Sequence, residues 1–417
     1  MNRRTFLGLL AGALPLGIAA TPLRGRRAGL AAASAAAAPT GTSPGAAGTA
    51  PAASAPGGSR AIRYTAGLPI HRVRPKTVGE PCRTSLDVAR RHIQAHCTDP
   101  SFANGVIHGV RALGLELPLG AGDPYRLILE RYTQESYIEG QVFLEVPVHH
   151  EGHRHAMLKT LVERQCDLDL EFEHDGRMYR FRDYVESAIR LHTYDLGLLP
   201  IDEQSWTIMA LSRVTPPSRA RWANVYGQTI DLERMIDDTS EALRRDTRLV
   251  RGVDLQMQEL PRDCPALARA CGGLHMLYAL AVALSSGYET PRRRQEFAGH
   301  MRTQMRRFTY DLRVIEQVEA LNVPRVGEAR ARVRAFDGRL KFLGHSFEVI
   351  GVVDQFGLYE FSQEERAVID AGRAKLCALL ADSATMNLRR YKDDRVLFDS
   401  IVSGFCHAYN GLLMSPA

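Results

Sequence analysis

Two kinds of helical segment alternate along this chain, and that alternation narrows the architectures open to it. Apolar residues recur at three-to-four spacing through almost everything beyond residue 84, while strand-like alternation is rare. One kind of segment is apolar nearly all round: Trp206–Leu211, His275–Leu284 and Phe347–Val353. The other is amphipathic, as in Tyr184–Arg190, Leu232–Asp238 and Arg366–Ala374. A helix apolar on every side needs an inner position, and an amphipathic one covers it from outside. The expected fold class is therefore all-α: an α/α toroid of helical hairpins with inner and outer helices and few short strands.

Start signals place the elements. Thr84-Ser85-Leu86-Asp87 predicts a helix running to about His96, and Asp123-Pro124 predicts another with proline at its first position. Further helices are predicted over 153–166, 182–193, 204–214, 231–245, 265–285, 294–320, 325–335, 341–356, 362–382 and 394–413. Extended pieces are predicted at Phe143–Val148 and Phe172–Phe181, the second folded back at Asp175-Gly176. The markers Trp206, His275, His345 and His407 recur at intervals of roughly 60–70 residues, room for one or two hairpins each.

The N-terminal segment belongs to export rather than to the fold. Asn2-Arg3-Arg4-Thr5-Phe6-Leu7 is close to a twin-arginine motif, and the apolar run Leu9–Ala20 follows it. We read residues 1–35 as a signal segment with a cleavage site near Ala33-Ser34-Ala35. Residues 36–60 read as an Ala/Gly/Pro/Ser linker with nothing to pack, and 61–417 as a single helical domain. The apolar run is short and interrupted for a membrane span, so none is expected in the mature chain. The expected location is the periplasm or cell envelope.

Charge and thiols follow from this division. The six arginines of residues 1–60, with no acid among them, account for the whole formal +6 and leave 61–417 neutral. No nucleic-acid surface is therefore expected. The chain has seven cysteines, so at least one thiol stays unpaired in a monomer. Cys82 with Cys97, or Cys264 with Cys271, are the pairings that proximity in sequence offers.

Histidines carry the chemistry. His153, His275 and His345 each follow a glycine within one or two residues and each is expected to open an apolar helical run. Polar groups at corresponding ends of core helices predict one shared cavity. Cys271-Gly272-Gly273-Leu274-His275 offers a thiol and an imidazole four residues apart, able to share a helix face. Glu348 stands one turn beyond His345, where a carboxylate can orient an imidazole or raise its pKa. Trp206 and the Trp222–Gly227 segment offer aromatic faces, and Asn224 a side-chain amide. The run His149-His150-Glu151-Gly152-His153-Arg154-His155 has histidines enough for a metal but lacks the His-Glu-x-x-His order. Nucleophilic-serine, phosphate-loop and dinucleotide patterns are absent from the sequence.

At Gly152-His153, Ser205–Leu211, Trp222-x-Asn224-x-x-Gly227, Ala270–His275 and Gly344-His345 the chain resembles an uncharacterised family of exported bacterial helical proteins. These elements span about residues 150–360; position 274, often threonine in that family, is leucine here. The resemblance implies an all-helical, toroid-like domain with the motif residues in a central pocket, and no established activity.

The leading expectation is an exported protein whose pocket gathers His153, Cys271, His275 and His345 as catalytic candidates, with Trp206, Asn224 and Glu348 contacting a small-molecule or glycan ligand. His275 or His345 would act as acid or base in hydrolysis or elimination of a carbohydrate. No cofactor is identified, and no metal is assigned in this reading. The alternatives are a non-catalytic envelope scaffold or small-ligand binder, and a metal-binding protein using the 149–155 histidines.

Overall fold

The three segments that the sequence marks as apolar all round, Trp206–Leu211, His275–Leu284 and Phe347–Val353, are buried along their whole length. The computed structural model describes residues 62–65, 80–120, 122–194, 201–255, 260, 264–265 and 270–415. The predicted signal segment and linker lie outside the described residues. In chain order the helices are α1 (Glu80–His96), α2 (Ala103–Leu113), α3 (Pro124–Tyr132), α4 (Val148–Glu151), α5 (Ala156–Glu163), α6 (Phe181–Leu191) and α7 (Gln204–Val214). There follow α8 (Leu232–Asp246), α9 (Arg248–Arg251), α10 (Leu274–Ala283), α11 (Pro291–Val326), α12 (Glu328–Gln355), α13 (Gln363–Asp382) and α14 (Arg395–Met414). Every residue of α5, α7 and α10 is buried.

Packing among the inner helices is cyclic. Helix α2 packs on α5, α5 on α7, α7 on α10, α10 on α12, α12 on α14, and α14 returns to α2. Amphipathic helices lie against this cycle: α8 on α7 and α10, α11 on α12, and α13 on α12. The first helix, α1, packs on both α13 and α14, joining the two ends of the described chain. Among the described residues no helix is long and apolar enough to cross a membrane.

Strands are short antiparallel hairpins that decorate this helical body. They are β1 (Gln134–Ile138) with β2 (Gln141–Glu145), β3 (Glu171–His174) with β4 (Arg177–Arg180), and β5 (Arg221–Ala223) with β6 (Thr229–Asp231). Asp175 and Gly176, both at positive φ, make the β3–β4 turn that the sequence predicts. Strand β1, the β5–β6 pair and helix α2 have no counterpart among the predicted elements.

Several expected boundaries move. The first helix starts at Glu80 rather than Thr84, and the predicted 325–335 and 341–356 are one helix, α12. The predicted helix 153–166 begins at Ala156, because Gly152 (φ 74°) and His155 (φ 67°) are left-handed and break the run. The predicted 265–285 is helical over Leu274–Ala283, with residues 266–269 outside the described residues.

The cysteine pairings expected from proximity are replaced by one distant bond, Cys82–Cys377, which links α1 to α13 across 295 residues. Cys82 and Cys97 sit at opposite ends of α1, about 22 Å apart at the helical rise, and cannot meet. Cys264 is buried beside Val250, Leu255 and Tyr310, Cys271 is half-buried, and both are free thiols. Cys97 instead lies 3.8 Å, sulfur to sulfur, from Cys406 of α14, and both remain thiols. Because Cys82–Cys377 closes so long a loop, the double variant Cys82→Ser/Cys377→Ser should lose about 3–5 kcal/mol of unfolding free energy. Urea unfolding without reductant measures this; an unchanged midpoint would remove the linkage from any account of stability.

Candidate functional site

Two local devices bring distant imidazoles together. The first is a run of three left-handed residues, Cys271 (φ 47°), Gly272 (φ 64°) and Gly273 (φ 86°), directly before α10. Cys271 bears the strain of a side chain in that region, roughly 1–2 kcal/mol. Arg307 of α11 anchors the turn by donating to the Gly272 carbonyl at 2.9 Å, and pairs with Asp311 at 3.1 Å. The turn delivers His275 as the second residue of α10. The second device is a backbone-to-backbone crossing of α12 and α14. A Cβ on Gly344 would stand 2.7 Å from the Ala408 nitrogen, so glycine is what allows this approach. His345 and His407, the residues after and opposite Gly344, thereby come together with ring centroids 3.8 Å apart and planes tilted by 30°. His345 thus sits within a long helix and does not open one, and His153 lies in the turn between α4 and α5.

The rings form a continuous row. Trp206 of α7 stacks on His153 at 3.7 Å with the planes 10° apart, and stands 4.6 Å from His275. His275 and His345 face each other with their Nε2 atoms 2.8 Å apart. His407 continues the row to His108 of α2, 5.3 Å away. Oxygen acceptors fix several of these rings through Nδ1. His345 Nδ1 donates to the Lys341 carbonyl at 2.7 Å, His407 Nδ1 donates to Glu348 at 3.0 Å, and His153 Nδ1 lies 3.2 Å from Glu203. The His345 ring therefore presents a lone pair on Nε2. His275 Nδ1 is buried without a partner.

Beneath the row lies a buried ionic network. Arg111 of α2 donates to Glu163 of α5 at 2.7 Å and to Glu348 of α12 at 2.5 Å, and its guanidinium lies 5.9 Å from the centre of the Tyr278 ring. Lys159 pairs with Glu163 at 3.4 Å. Burial disfavours every charge here, but Glu163 and Glu348 outweigh it for Arg111 and hold that guanidinium firmly charged. Arg111 and Lys159 likewise hold the Glu163 carboxyl below the usual range despite its burial. Burial, and then the repulsion of Arg111, lowers the Lys159 ammonium to about 8.

The same burial keeps the imidazoles neutral. His275, His345 and His407 fall well below the ordinary histidine value, first through desolvation, then through His345, His407 and Arg111 respectively. Burial pushes the Cys271 thiol up to about 11, so it is protonated at neutral pH and is not a ready nucleophile. Solvent reaches the row at its His153–Glu203 end, where the two side chains are 20% and 30% exposed.

The structure brings His153, Trp206, Cys271, His275, His345 and Glu348 to this row. Glu348 serves His407 and Arg111, the pairing to His345 expected from helical spacing giving way to the α12–α14 crossing. Asn224 is elsewhere: its Oδ1 accepts from the Tyr226 and Gln228 backbone and its Nδ2 donates to the His192 carbonyl, all within and beside the β5–β6 turn. The 149–155 histidines are dispersed. His149 and His150 lie together near Tyr132, while His155 bonds Thr207 at 2.8 Å. Among the described residues, two sets of potential ligand atoms come within 4.8 Å, Cys271–His275–His345 and His345–Glu348–His407. A separate cleft of about 850 Å³ lies between α11 and α13, lined by Arg302, Met305, Arg306 and Tyr359.

Sequence reasoning missed Arg111, Lys159, Glu163, Tyr278, His108 and Glu203. The signal was present for the first three, which are charges inside otherwise apolar helical runs and so need a buried partner. No family model, curated protein or solved structure matches the chain. The motif resemblance thus has no matching family behind it, and the reading of the site rests on geometry.

Burial of neutral imidazoles makes stability depend on pH. Burial lowers His108 and His192 to about 3. Their folded pKa lies below the unfolded one, so their contribution is present above about pH 6.5 and is lost as pH falls, by up to about 1.4 kcal/mol per pH unit for each ring. Urea unfolding from pH 7 to pH 5 should show this decline, with a shallower slope in His108→Gln and His192→Asn. Equal slopes in all three proteins would show that these rings do not titrate on unfolding.

Proposed function

We propose that this chain is an exported enzyme of the periplasm or cell envelope, and that its six inner helices close an α/α toroid of helical hairpins around a histidine-lined centre. The cyclic packing order, with α1 returning to α13 and α14, supports the toroid. The proposed activity is hydrolysis or elimination on a carbohydrate, with His153 as acid or base, Glu203 orienting it, and Trp206 as the face on which a sugar ring stacks.

The observation that carries this reading is the placement of His153. Its ring lies flat on Trp206 at 3.7 Å, its Nδ1 is engaged by Glu203, and it stands where solvent reaches the row. A carboxylate on Nδ1 fixes the orientation of the ring and leaves Nε2 to meet a ligand. His275 and His345, first choices from the sequence for that role, are buried and face each other. They support the chamber in this reading rather than the proton transfer.

A second reading, a non-catalytic scaffold or small-ligand binder, is favoured by the internal pairing of Arg111, Glu163, Lys159 and Glu348. Charges that satisfy one another have a structural purpose without any ligand.

A thermal-shift screen of envelope polysaccharide fragments, followed by product assays on the stabilising fragments, tests the enzymatic reading. His153→Ala and Glu203→Gln should each lower turnover by about 10²–10⁴-fold while the fold is kept. Full turnover in His153→Ala would end the assignment, and binding without turnover in the wild-type protein would favour the second reading.

A further inference from the structure

We infer that Cys271, His275 and His345 form a binding site for a zinc-class transition-metal ion. The inference goes beyond the acid–base reading of His153 and does not rest on it.

The three side chains come from two elements, the left-handed turn before α10 with that helix's first turn, and the middle of α12. Their ligand atoms lie within 4.8 Å of one another. His345 is oriented as a ligand: its Nδ1–H is held by the Lys341 carbonyl, so its Nε2 lone pair points at His275. An acceptor on the far nitrogen is the usual way a metal-binding imidazole is fixed in tautomer and direction.

His275 has unused capacity. It is 9% exposed, and its Nδ1 meets no partner. If Nε2 carries the proton, it donates to His345 and leaves a buried lone pair on Nδ1 facing no donor. If Nδ1 carries it, two Nε2 lone pairs oppose each other at 2.8 Å. A cation between the two Nε2 atoms turns that opposition into coordination. Zinc–nitrogen bonds of about 2.0–2.1 Å in tetrahedral geometry set ligand nitrogens roughly 3.3 Å apart, so the rings need to separate by about half an ångström. Cys271 is half-buried, and its Sγ already lies within 4.8 Å of a ring nitrogen of each imidazole.

Ligand chemistry selects the ion. One sulfur and two imidazoles suit zinc or copper and not magnesium or calcium, and three protein ligands leave a fourth position for water or substrate. The neighbouring set His345–Glu348–His407 is the poorer candidate. The Arg111 guanidinium lies 2.5 Å from Glu348 and 3.2 Å from the His407 Nδ1, and a second cation there would meet it directly.

The test uses full-length protein purified without a polyhistidine tag, stripped with chelator and titrated with Zn²⁺, read by elemental analysis, and with Co²⁺, read by absorption. Wild type should take up about one equivalent, and the cobalt form should show a near-ultraviolet thiolate-to-metal band. Cys271→Ser should lose that band, and His275→Gln and His345→Gln should weaken binding by at least about 10-fold. The double variant His149→Ala/His150→Ala should bind as wild type does. Circular dichroism checks folding, and Cys271→Ser, the mildest change, carries the test should a histidine variant unfold. No uptake by folded wild type, or an unaltered cobalt spectrum in Cys271→Ser, overturns the proposal. Because no substrate is involved, metal uptake and turnover can fail independently, and each outcome is read on its own.

Discussion

A single guanidinium holds the centre of this protein together. Arg111 extends from α2 to carboxylates on α5 and α12, lies near the Tyr278 ring of α10, and touches His407 of α14. Five of the six helices that pack in a cycle therefore meet at one side chain. With Lys159 beside Glu163, it compensates two carboxylates in this dry interior, where a buried charge without a partner is strongly destabilising. The converse also holds: the buried arginine is compensated by an acid from each of two helices. The result is a registration device, in which the relative rotation and height of the inner helices are set by ionic geometry. Apolar packing alone would tolerate more slack.

That registration explains why the row of rings exists. Gly344 lets α12 and α14 approach until the His345 and His407 rings touch, and the Cys271–Gly273 turn aims His275 at the same place. Each device is local, but they converge only if the helices are held at the correct heights. The imidazoles then share a common environment, too dry to carry charge. The His153–Glu203 pair, at the wetter end and flat against Trp206, has a different character. Position along the row thus separates groups suited to coordination or packing from a group suited to exchange with solvent.

The sequence made the helical framework readable because segments such as Ile208–Leu211 and Met276–Ala283 are apolar on nearly every face. The convergence of His153, His275 and His345 could be anticipated from their glycine neighbours, though the glycines act differently from what their positions imply. Gly344 is a contact point in mid-helix rather than a helix start. The partner of Glu348 was not readable, because i, i+3 spacing points to His345 whereas the partner lies on another helix. Asn224 looked like a ligand-binding amide and is consumed by its own turn, a role that asparagine takes whenever two following amides are in reach. The disulfide was hidden for a related reason: sequence proximity is no guide when the first helix is packed against the last hairpin.

That distant sulfur bridge makes most of the chain a covalent circle. Any peptide bond between residues 82 and 377 can be cut and the two fragments will stay attached through the cystine. A protease acting on a surface connection would leave a nicked molecule that migrates as one piece and separates only on reduction. Damage in the segment that carries His108, His153, His275 and His345 would in that way remain invisible to size alone.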